Sequence, residues 1–308
     1  MNYTLHQIQV FIKVVQFQSI TKAAEELFMT QPAVSIQLKN FQDQFEIPLY
    51  EVVGRKLHVT EFGHEIYQMA EKIMNEVYAI NYKTQAFKGF LSGRLSISVV
   101  STGKYVMPYF LSGFMNEHQG IDLVMDVTNK SKVIQSVEKN EIDFALVSIV
   151  PDFLKVEEEI LLENHLFLIG NQDFDYGNEE HEVELLKTLP LIYREEGSAT
   201  RAVMEGFLEK SKLSIRKKVE LTSNEAVKQA VIAGLGFSIM PLIGIKNELE
   251  SGELKIIPMK GFPIKSEWRL IWLKNKKLSP VALEFLKYLR AEKEHILEKN
   301  FYWIKKYV

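Results

Sequence analysis

Between Thr60 and Lys88 the chain carries no proline and one glycine, Gly63, and its apolar residues Phe62, Ile66, Met69, Ile73, Val77 and Ile80 fall 4, 3, 4, 4 and 3 apart. That is a heptad-like seam. A helix of about 25 residues reaches roughly 38 Å at 1.5 Å per residue, too long for one small domain to cover. With Glu61, Glu65, Glu71, Lys72 and Glu76 on the other faces, the seam is most economically covered by a second copy of itself. A single long core helix is the alternative. Gly89 to Gly93, with two glycines and a serine, reads as a hinge after it. The helix divides the chain into a short part before it and a long part after.

The 308 residues, 46% hydrophobic and 25% charged, describe a folded chain of two or three domains rather than a disordered one. Lys and Arg number 37 against 40 Asp and Glu, so the net charge of -3 gives no global hint of a nucleic-acid partner. The absence of cysteine excludes disulfides, thiolate zinc ligands and thiol nucleophiles. Met1 to Leu27 lacks an unbroken apolar stretch, and no apolar run approaches the roughly 18–20 residues of a membrane span. A cytoplasmic protein without a membrane partner is expected.

In the first sixty residues, Ile8, Phe11, Ile12 and Val15 recur at helical spacing and the polar run Gln16 to Ser19 ends that helix. Thr21 is the expected N-cap of a second helix, with Ala23, Ala24, Leu27 and Phe28 as its apolar face. Thr30 caps a third, Pro32 fits its first turn, and Val34, Leu38, Phe41 and Phe45 form the inward stripe. The opposite face presents Pro32, Ala33, Ile36, Lys39 and Asn40, flanked by Gln31, Ser35 and Gln37. Two short helices joined by a tight turn match a helix-turn-helix reading head; a three-helix bundle with a solvated face is the bland alternative. Val52 to Thr60 then gives two short β-prone runs around a turn carrying Arg55 and Lys56. As a wing, it would set those cations on phosphates while the third helix reaches base edges in double-stranded DNA.

The segments Ser19-Ile20-Thr21-Lys22-Ala23-Ala24-Glu25-Glu26-Leu27, Thr30-Gln31-Pro32-Ala33-Val34-Ser35 and Leu57-His58-Val59-Thr60-Glu61-Phe62-Gly63 resemble the winged helix-turn-helix of LysR-type transcriptional regulators. The resemblance implies that Thr21, Thr30, Gln31, Pro32, Ala33, Ser35, Ile36, Gln37, Lys39, Asn40, Arg55 and Lys56 face DNA, and that the long helix pairs two reading heads. Ile36 departs from the arginine many members carry. Val34-Ser35-Ile36-Gln37-Leu38 is closer to the branch that regulates carbon-fixation genes. An apolar side chain there meets a thymine methyl but makes no bidentate contact to guanine.

Beyond the hinge, strand-like runs at 94–100, 121–127, 144–150, 166–169, 191–193, 219–221, 236–241 and 268–273 alternate with helical stretches at 105–115, 132–139, 200–210, 223–234 and 280–289. This is an α/β pattern, expected to be a parallel sheet with a ligand cleft beyond the strand ends. Ser101-Thr102, Asn129, Ser198-Ala199-Thr200 and Thr222-Ser223-Asn224 lie at those ends. Each alone is an ordinary cap or turn; recurring after successive strands, they favour a small anion held by hydroxyls and helix N-termini. Arg201 either assists or is a surface charge.

Gly197-Ser198-Ala199-Thr200-Arg201, Ser223 to Gly236 and Leu278-Ser279-Pro280 resemble the inducer-binding domain of the same family, so the likeness spans nearly the whole chain. It implies an α/β protein with an N-terminal all-α winged helix-turn-helix domain and a C-terminal two-subdomain fold like that of periplasmic binding proteins. The implied layout is a DNA-binding domain at 1–60, a dimerisation helix and hinge at 61–91, and an effector-binding domain at 92–308. Its subdomains are about 92–164 with 267–308, and 165–266, with crossovers near Glu163–Leu166 and Phe262–Trp268. Ser101, Thr102, Asn129, Ser148, Ser198, Thr200, Arg201, Ser223 and Asn224 are the expected effector residues. The segment from Ala291 to Val308 runs past the usual family ending and either packs on a partner subunit or caps its own domain.

No catalytic constellation is present. Gly197-Ser198-Ala199-Thr200 lacks the second glycine of a nucleophile elbow, His64-Glu65 has no second histidine, no phosphate-binding loop occurs, and Gly234-Leu235-Gly236 closes a helix rather than opening one. No enzyme activity, cofactor or metal is expected. The reading is a homodimeric or homotetrameric, effector-responsive DNA-binding regulator. The alternative is a cytoplasmic metabolite-binding protein or enzyme that uses its first helices only to dimerise.

Overall fold

The computed structural model describes residues 2–54, 56–86, 91–173, 177, 179–213 and 219–308, which fall into two units, Met1–Gly93 and Arg94–Val308. The first unit contains α1 (Leu5–Phe17), α2 (Ile20–Glu26), α3 (Gln31–Gln42), a hairpin of β1 (Tyr50–Val53) and β2 (Lys56–Val59), and α4 (Glu61–Ala86). A reciprocal capping box starts α1: the Gln7 N–H donates to the Thr4 hydroxyl at 3.2 Å, and the Thr4 N–H donates to the Gln7 amide oxygen at 2.8 Å. The cap of α2 is Ser19, not Thr21: its hydroxyl accepts the Lys22 N–H at 3.3 Å, and Thr21 is an exposed residue inside the helix. Gln18 ends α1 in the left-handed region at φ 48, so the chain re-enters a helix two residues earlier than the polar run suggests.

Thr30 caps α3, accepting the Ala33 N–H at 3.4 Å, with Pro32 in the first turn. Val34, Leu38 and Phe41 are buried against Val10, Phe11 and Val14 of α1, and Phe41 meets Phe11 at 5.1 Å between ring centroids. Phe28 departs from the apolar face expected of it. It lies past the end of α2 at φ 53, still tied by its N–H to the Glu25 carbonyl, and is 98% exposed. The seam of α4 divides in two. Phe62 and Ile66 pack with buried Ala70 and Met74 on the three-helix core, while Met69, Ile73 and Ile80 stay exposed.

The Leu57–Gly63 motif has a mechanical explanation. The Thr60 hydroxyl donates to the Pro48 carbonyl at 2.6 Å and accepts the Gly63 N–H at 2.9 Å, while the Thr60 N–H donates to the Leu49 carbonyl at 3.0 Å. A side chain at Gly63 would strike the Leu49 carbonyl, so only glycine lets the start of α4 lie against the strand entering the wing.

The second unit contains β3 (Gly93–Val100), α5 (Met107–Glu117), β4 (Ile121–Thr128), α6 (Lys130–Glu138), β5 (Phe144–Val147), β6 (Val156–Asn171), β7 (Ile192–Arg194), α7 (Ala199–Lys210), β8 (Val219–Leu221), α8 (Asn224–Ile232), β9 (Ser238–Pro241), α9 (Lys246–Ser251), β10 (Leu254–Ile256), β11 (Ile264–Leu273) and α10 (Pro280–Phe301). The main sheet runs β10-β6-β11-β5-β3-β4 with β9 also on β6, and β7 pairs β8 separately. It is mixed rather than parallel. The β3–β5 and β7–β8 pairs are parallel, but β6 is antiparallel to β9, β10 and β11, and β11 is antiparallel to β5. Strand β6 pairs β11 from Val156↔Leu273 to Leu166↔Ile264. The chain leaves one half of the unit along β6 and returns along β11, which forces opposite directions.

The start of β6, Val156-Glu157-Glu158-Glu159, escapes sequence reading because it is acidic. Its charges are answered across the fold: Glu158 by Arg269 at 2.6 Å, and Glu159 by Arg290 at 2.8 Å and Lys293 at 3.0 Å. One half packs around Phe110, Phe114, Phe144 and Phe285; the other holds two clusters, about Leu168 and Phe237 and about Ile169 and Val231. Trp303, Ile304 and Tyr307 pack on the second of these, so this segment caps its own domain.

Candidate nucleic-acid interface and ligand cleft

On α3, Gln31, Pro32, Ile36, Lys39 and Asn40 are exposed and Ala33, Ser35 and Gln37 half-buried, so the expected reading face is open, with Ile36 58% exposed. Thr21 and Thr30 are exposed beside it. At the wing, Val52 and Val53 are exposed and Gly54 turns the chain at φ +57. Arg55 lies outside the described residues; the backbone of Lys56 pairs with Val53, and its side chain also lies outside them. Three helices with a hairpin wing present small polar groups and one isoleucine, the shape and chemistry a major groove accepts.

The second unit brings most of the expected polar turns together. Around Arg194, which is 3% exposed at the end of β7, its Nε and Nη2 donate to Glu195 at 2.8 and 2.9 Å, Nη2 reaches Ser101 Oγ at 3.2 Å, and Nη1 bonds Asn224 Oδ1. Ser101 belongs to one half and Arg194 and Asn224 to the other, so the guanidinium bridges the halves. Asn224 Nδ2 is buried without a hydrogen-bond partner, a donor in need of an acceptor. Thr102 and Thr200 are buried nearby in sequence. Ser223 spends its hydroxyl capping α8 through the Ala226 N–H at 3.1 Å.

A cavity of about 590 Å³ opens between the N-termini of α6 and α7, walled by Lys130, Ser131, Phe153, Gly197, Ser198 and Arg201, among others. Asn129 caps α6 through the Lys132 N–H at 3.1 Å; Ser198 stands at the cap position of α7 with no side-chain cap bond. Gly197 takes φ +80 so close that a Cβ would lie 2.6 Å from Ser131 Oγ, which holds the two halves in near contact. Arg201 is committed to Glu205 at 2.7 Å and Glu220 at 2.8 Å, with Glu196 at 3.9 Å, and their hydrogen bonds raise its pKa. Its charge is already answered.

Lys130 is different. It is half-buried on the cavity wall and burial lowers its pKa; Glu138, Glu196 and Glu205 line the same cavity, but none of them is ion-paired with it. Ser148 lines a separate cavity of about 490 Å³ with Glu163, Lys265, Ser266 and Arg269, apart from the other expected residues.

Sequence reasoning missed Arg194 and Lys130. Both had signals: Arg194 ends the apolar run Leu191-Ile192-Tyr193, and Lys130 is a cation in the first turn of a helix, where the dipole disfavours it. Also missed is a chain of charges on the same side. Tyr105 donates its hydroxyl to Glu225, Lys104 lies 3.4 Å from Glu225, and Lys228 joins Glu225 at 2.9 Å to Glu248 at 2.7 Å. Burial pushes the Tyr105 hydroxyl up, and Glu225 reinforces it. No group of three or more His, Asp or Glu side chains suited to a metal occurs among the described residues, and no helix there is long and apolar enough to cross a membrane.

A winged helix-turn-helix joined to a cleft-bearing α/β unit defines a DNA-binding protein controlled by a small ligand. Residues 5–64 match the bacterial regulatory helix-turn-helix protein model of the lysR family, and residues 88–294 match the LysR substrate binding domain. The chain belongs to the LysR family of transcriptional regulators. It is 36% identical to the HTH-type transcriptional activator CmpR of Synechocystis over 96% of this chain and 97% of that one. It is also 36% identical to a RuBisCO operon transcriptional regulator of Allochromatium vinosum, over 95% and 97%. Among solved structures, the Synechocystis CcmR regulatory domain in complex with 2-PG is 32% identical, with a TM-score of 0.63, covering 66% of this chain and 98% of that one. The chain is therefore a DNA-binding transcription regulator with an effector-binding domain.

Proposed function

We propose that this regulator senses a small phosphorylated carboxylate, 2-phosphoglycolate or a close analogue, in the cleft of residues 94–308. The observation that carries the reading is the cavity where the N-termini of α6 and α7 meet, with Ser131, Ser198 and Lys130 on its wall, Lys130 being the cation there that none of the lining carboxylates Glu138, Glu196 and Glu205 holds in an ion pair. Its lowered pKa marks an environment that an anion would relieve. The buried Asn224 Nδ2 beside Arg194 supplies a second donor deeper in the unit. Of the expected residues Ser198 and Arg201 line this cavity and Asn129 caps the helix at its edge, Ser101 and Asn224 meet at Arg194, Arg201 braces α7 against Glu205 and Glu220, and Ser148 belongs to a separate cavity.

The DNA contacts fall to Thr21, Thr30, Gln31, Pro32, Ala33, Ser35, Ile36, Gln37, Lys39 and Asn40, with Arg55 and Lys56 on phosphates. Met69, Ile73 and Ile80 pair α4 with a second copy, giving two reading heads in a dimer or tetramer. The protein acts in the cytoplasm without catalysing a reaction, in domains 1–60, 61–91 and 92–308. Calorimetric titration of the full chain with 2-phosphoglycolate, phosphate and glycolate tests the ligand. Tight binding of the first, lost in Lys130→Ala, is expected; equal weak binding of all three overturns the reading. DNA binding is tested by salt-dependent titration on the chain's own upstream DNA and on random DNA. Equal affinities for the two, with equal salt slopes, refute sequence-specific readout.

A further inference from the structure

The residues just past the end of the matched family model, which stops at 294, tie the two halves of the second unit together. Phe301, at the end of α10, is buried against the first half, with ring centroids 5.3 Å from Tyr109 and 5.9 Å from Phe110 of α5. Two residues later the chain has crossed to the other half. Trp303, Ile304 and Tyr307 pack on the cluster of Ile169, Val231, Leu242 and Ile245, and Lys246 Nζ sits 5.2 Å from the Trp303 ring centroid. The halves are otherwise joined covalently only by β6 and β11, a pair of strands about which they can hinge.

We propose that residues 301–307 form a strap, a third crossing of the chain between the halves that restrains the hinge and sets how readily the halves move about the cleft. Two neighbouring features make it releasable rather than permanent. A cavity of about 600 Å³ borders it, walled by Leu162, His165, Leu297, Phe301, Ile304 and Lys305 among others, so part of the strap faces open space between β6 and α10 rather than packed side chains. The anchors themselves are few, two ring contacts at Phe301 and the packing of Trp303, Ile304 and Tyr307 on aliphatic side chains, which a domain motion can break and remake. The inference stands apart from the effector's identity, because it concerns the packing of residues 301–307 and not the cleft residues.

The test measures distances between the halves in the full chain. The chain has no cysteine, so Asn116→Cys on α5 and Glu209→Cys on α7, both exposed, take spin labels uniquely. Labelled chains are diluted with unlabelled ones to suppress distances between copies. The expected result is a single narrow distance distribution in the parent and a broadened or two-component one in Trp303→Ala and in a chain ended at Tyr302. Melting curves separate this from unfolding, and Lys246→Ala, which removes only the cation over the ring, serves as the mild variant with a smaller broadening in the same direction. Unchanged distributions in folded Trp303→Ala and in the shortened chain overturn the strap. Broadening equal to that of an unrelated core substitution such as Val281→Ala also overturns it, since loosening would then be general.

Discussion

Gly63→Ala is the substitution whose cost the structure defines most sharply. A Cβ built there overlaps the Leu49 carbonyl oxygen and lies 2.8 Å from its carbon and 2.9 Å from Val59 Cγ1, where ordinary contacts need about 3.5–4.0 Å. The obstructing atoms are backbone and a β-branched side chain on the wing, so the relief must be a shift of α4 away from residues 48–59. That shift strains the Thr60 hydrogen bonds to the Pro48 and Leu49 carbonyls, at 2.6 and 3.0 Å. Losing one such bond costs about 1 kcal/mol and overpacking about 1–3 kcal/mol, while alanine's better helix propensity returns at most about 1 kcal/mol. The net expectation is a destabilisation of about 1–3 kcal/mol. Urea unfolding of the parent and variant, followed by the fluorescence of a probe in the first unit, measures it directly. A second consequence is positional: the wing moves relative to α3, so affinity for specific DNA falls more than the fraction folded accounts for. A Gly63→Ala protein within about 0.5 kcal/mol of the parent, binding DNA normally, would refute the account of why glycine stands there.

Lys130→Ala should weaken anion binding about tenfold or more while leaving the melting temperature unchanged or raised, because it removes a desolvated charge held in no ion pair; calorimetry and thermal melting read the two effects separately. Phe28→Ser, at a side chain that touches almost nothing, should change stability by less than about 0.5 kcal/mol in urea unfolding, and a larger loss would show that the turn packs on something. Ile36→Ala should cost roughly 1 kcal/mol of discrimination at one base pair, seen as a loss of preference for thymine in a binding-site selection with affinity for random DNA unchanged. For Glu225, burial works to raise its pKa, but the bonds from Tyr105 and Lys228 outweigh it and the net shift is downward. A depressed carboxylate adds stability above its unfolded pKa and loses it as pH falls through the folded value, so the second unit should lose stability on acidification below the ordinary glutamate range. Glu225→Gln should flatten that part of the profile, and an unaltered profile would remove Glu225 from the account.

The reading head was legible because its signals are local. Apolar spacing placed α1 and α3 and their buried face, and Thr30 and Pro32 marked the start of α3 by the hydrogen bonds a helix end leaves open. Local signals failed where two caps competed: Ser19 and Thr21 are both good caps, and only the left-handed Gln18 decides between them. Phe28 failed for a related reason, since it lies past the C-cap Leu27 in the left-handed region, which turns its side chain into solvent. In the second unit the polar turns were visible one by one, but what joins Ser101 to Asn224 is Arg194, whose importance depends on two halves meeting across more than ninety residues of sequence. The same holds for β6, whose glutamates argue against a strand until Arg269, Arg290 and Lys293 arrive from the far end of the chain. Charge compensation is therefore what sequence conceals in this protein. Arg201, the cation a reader picks for an anion, is consumed by its own neighbours, whereas Lys130, set against a helix dipole and outside any ion pair with the glutamates of its cavity, keeps its charge available for a ligand.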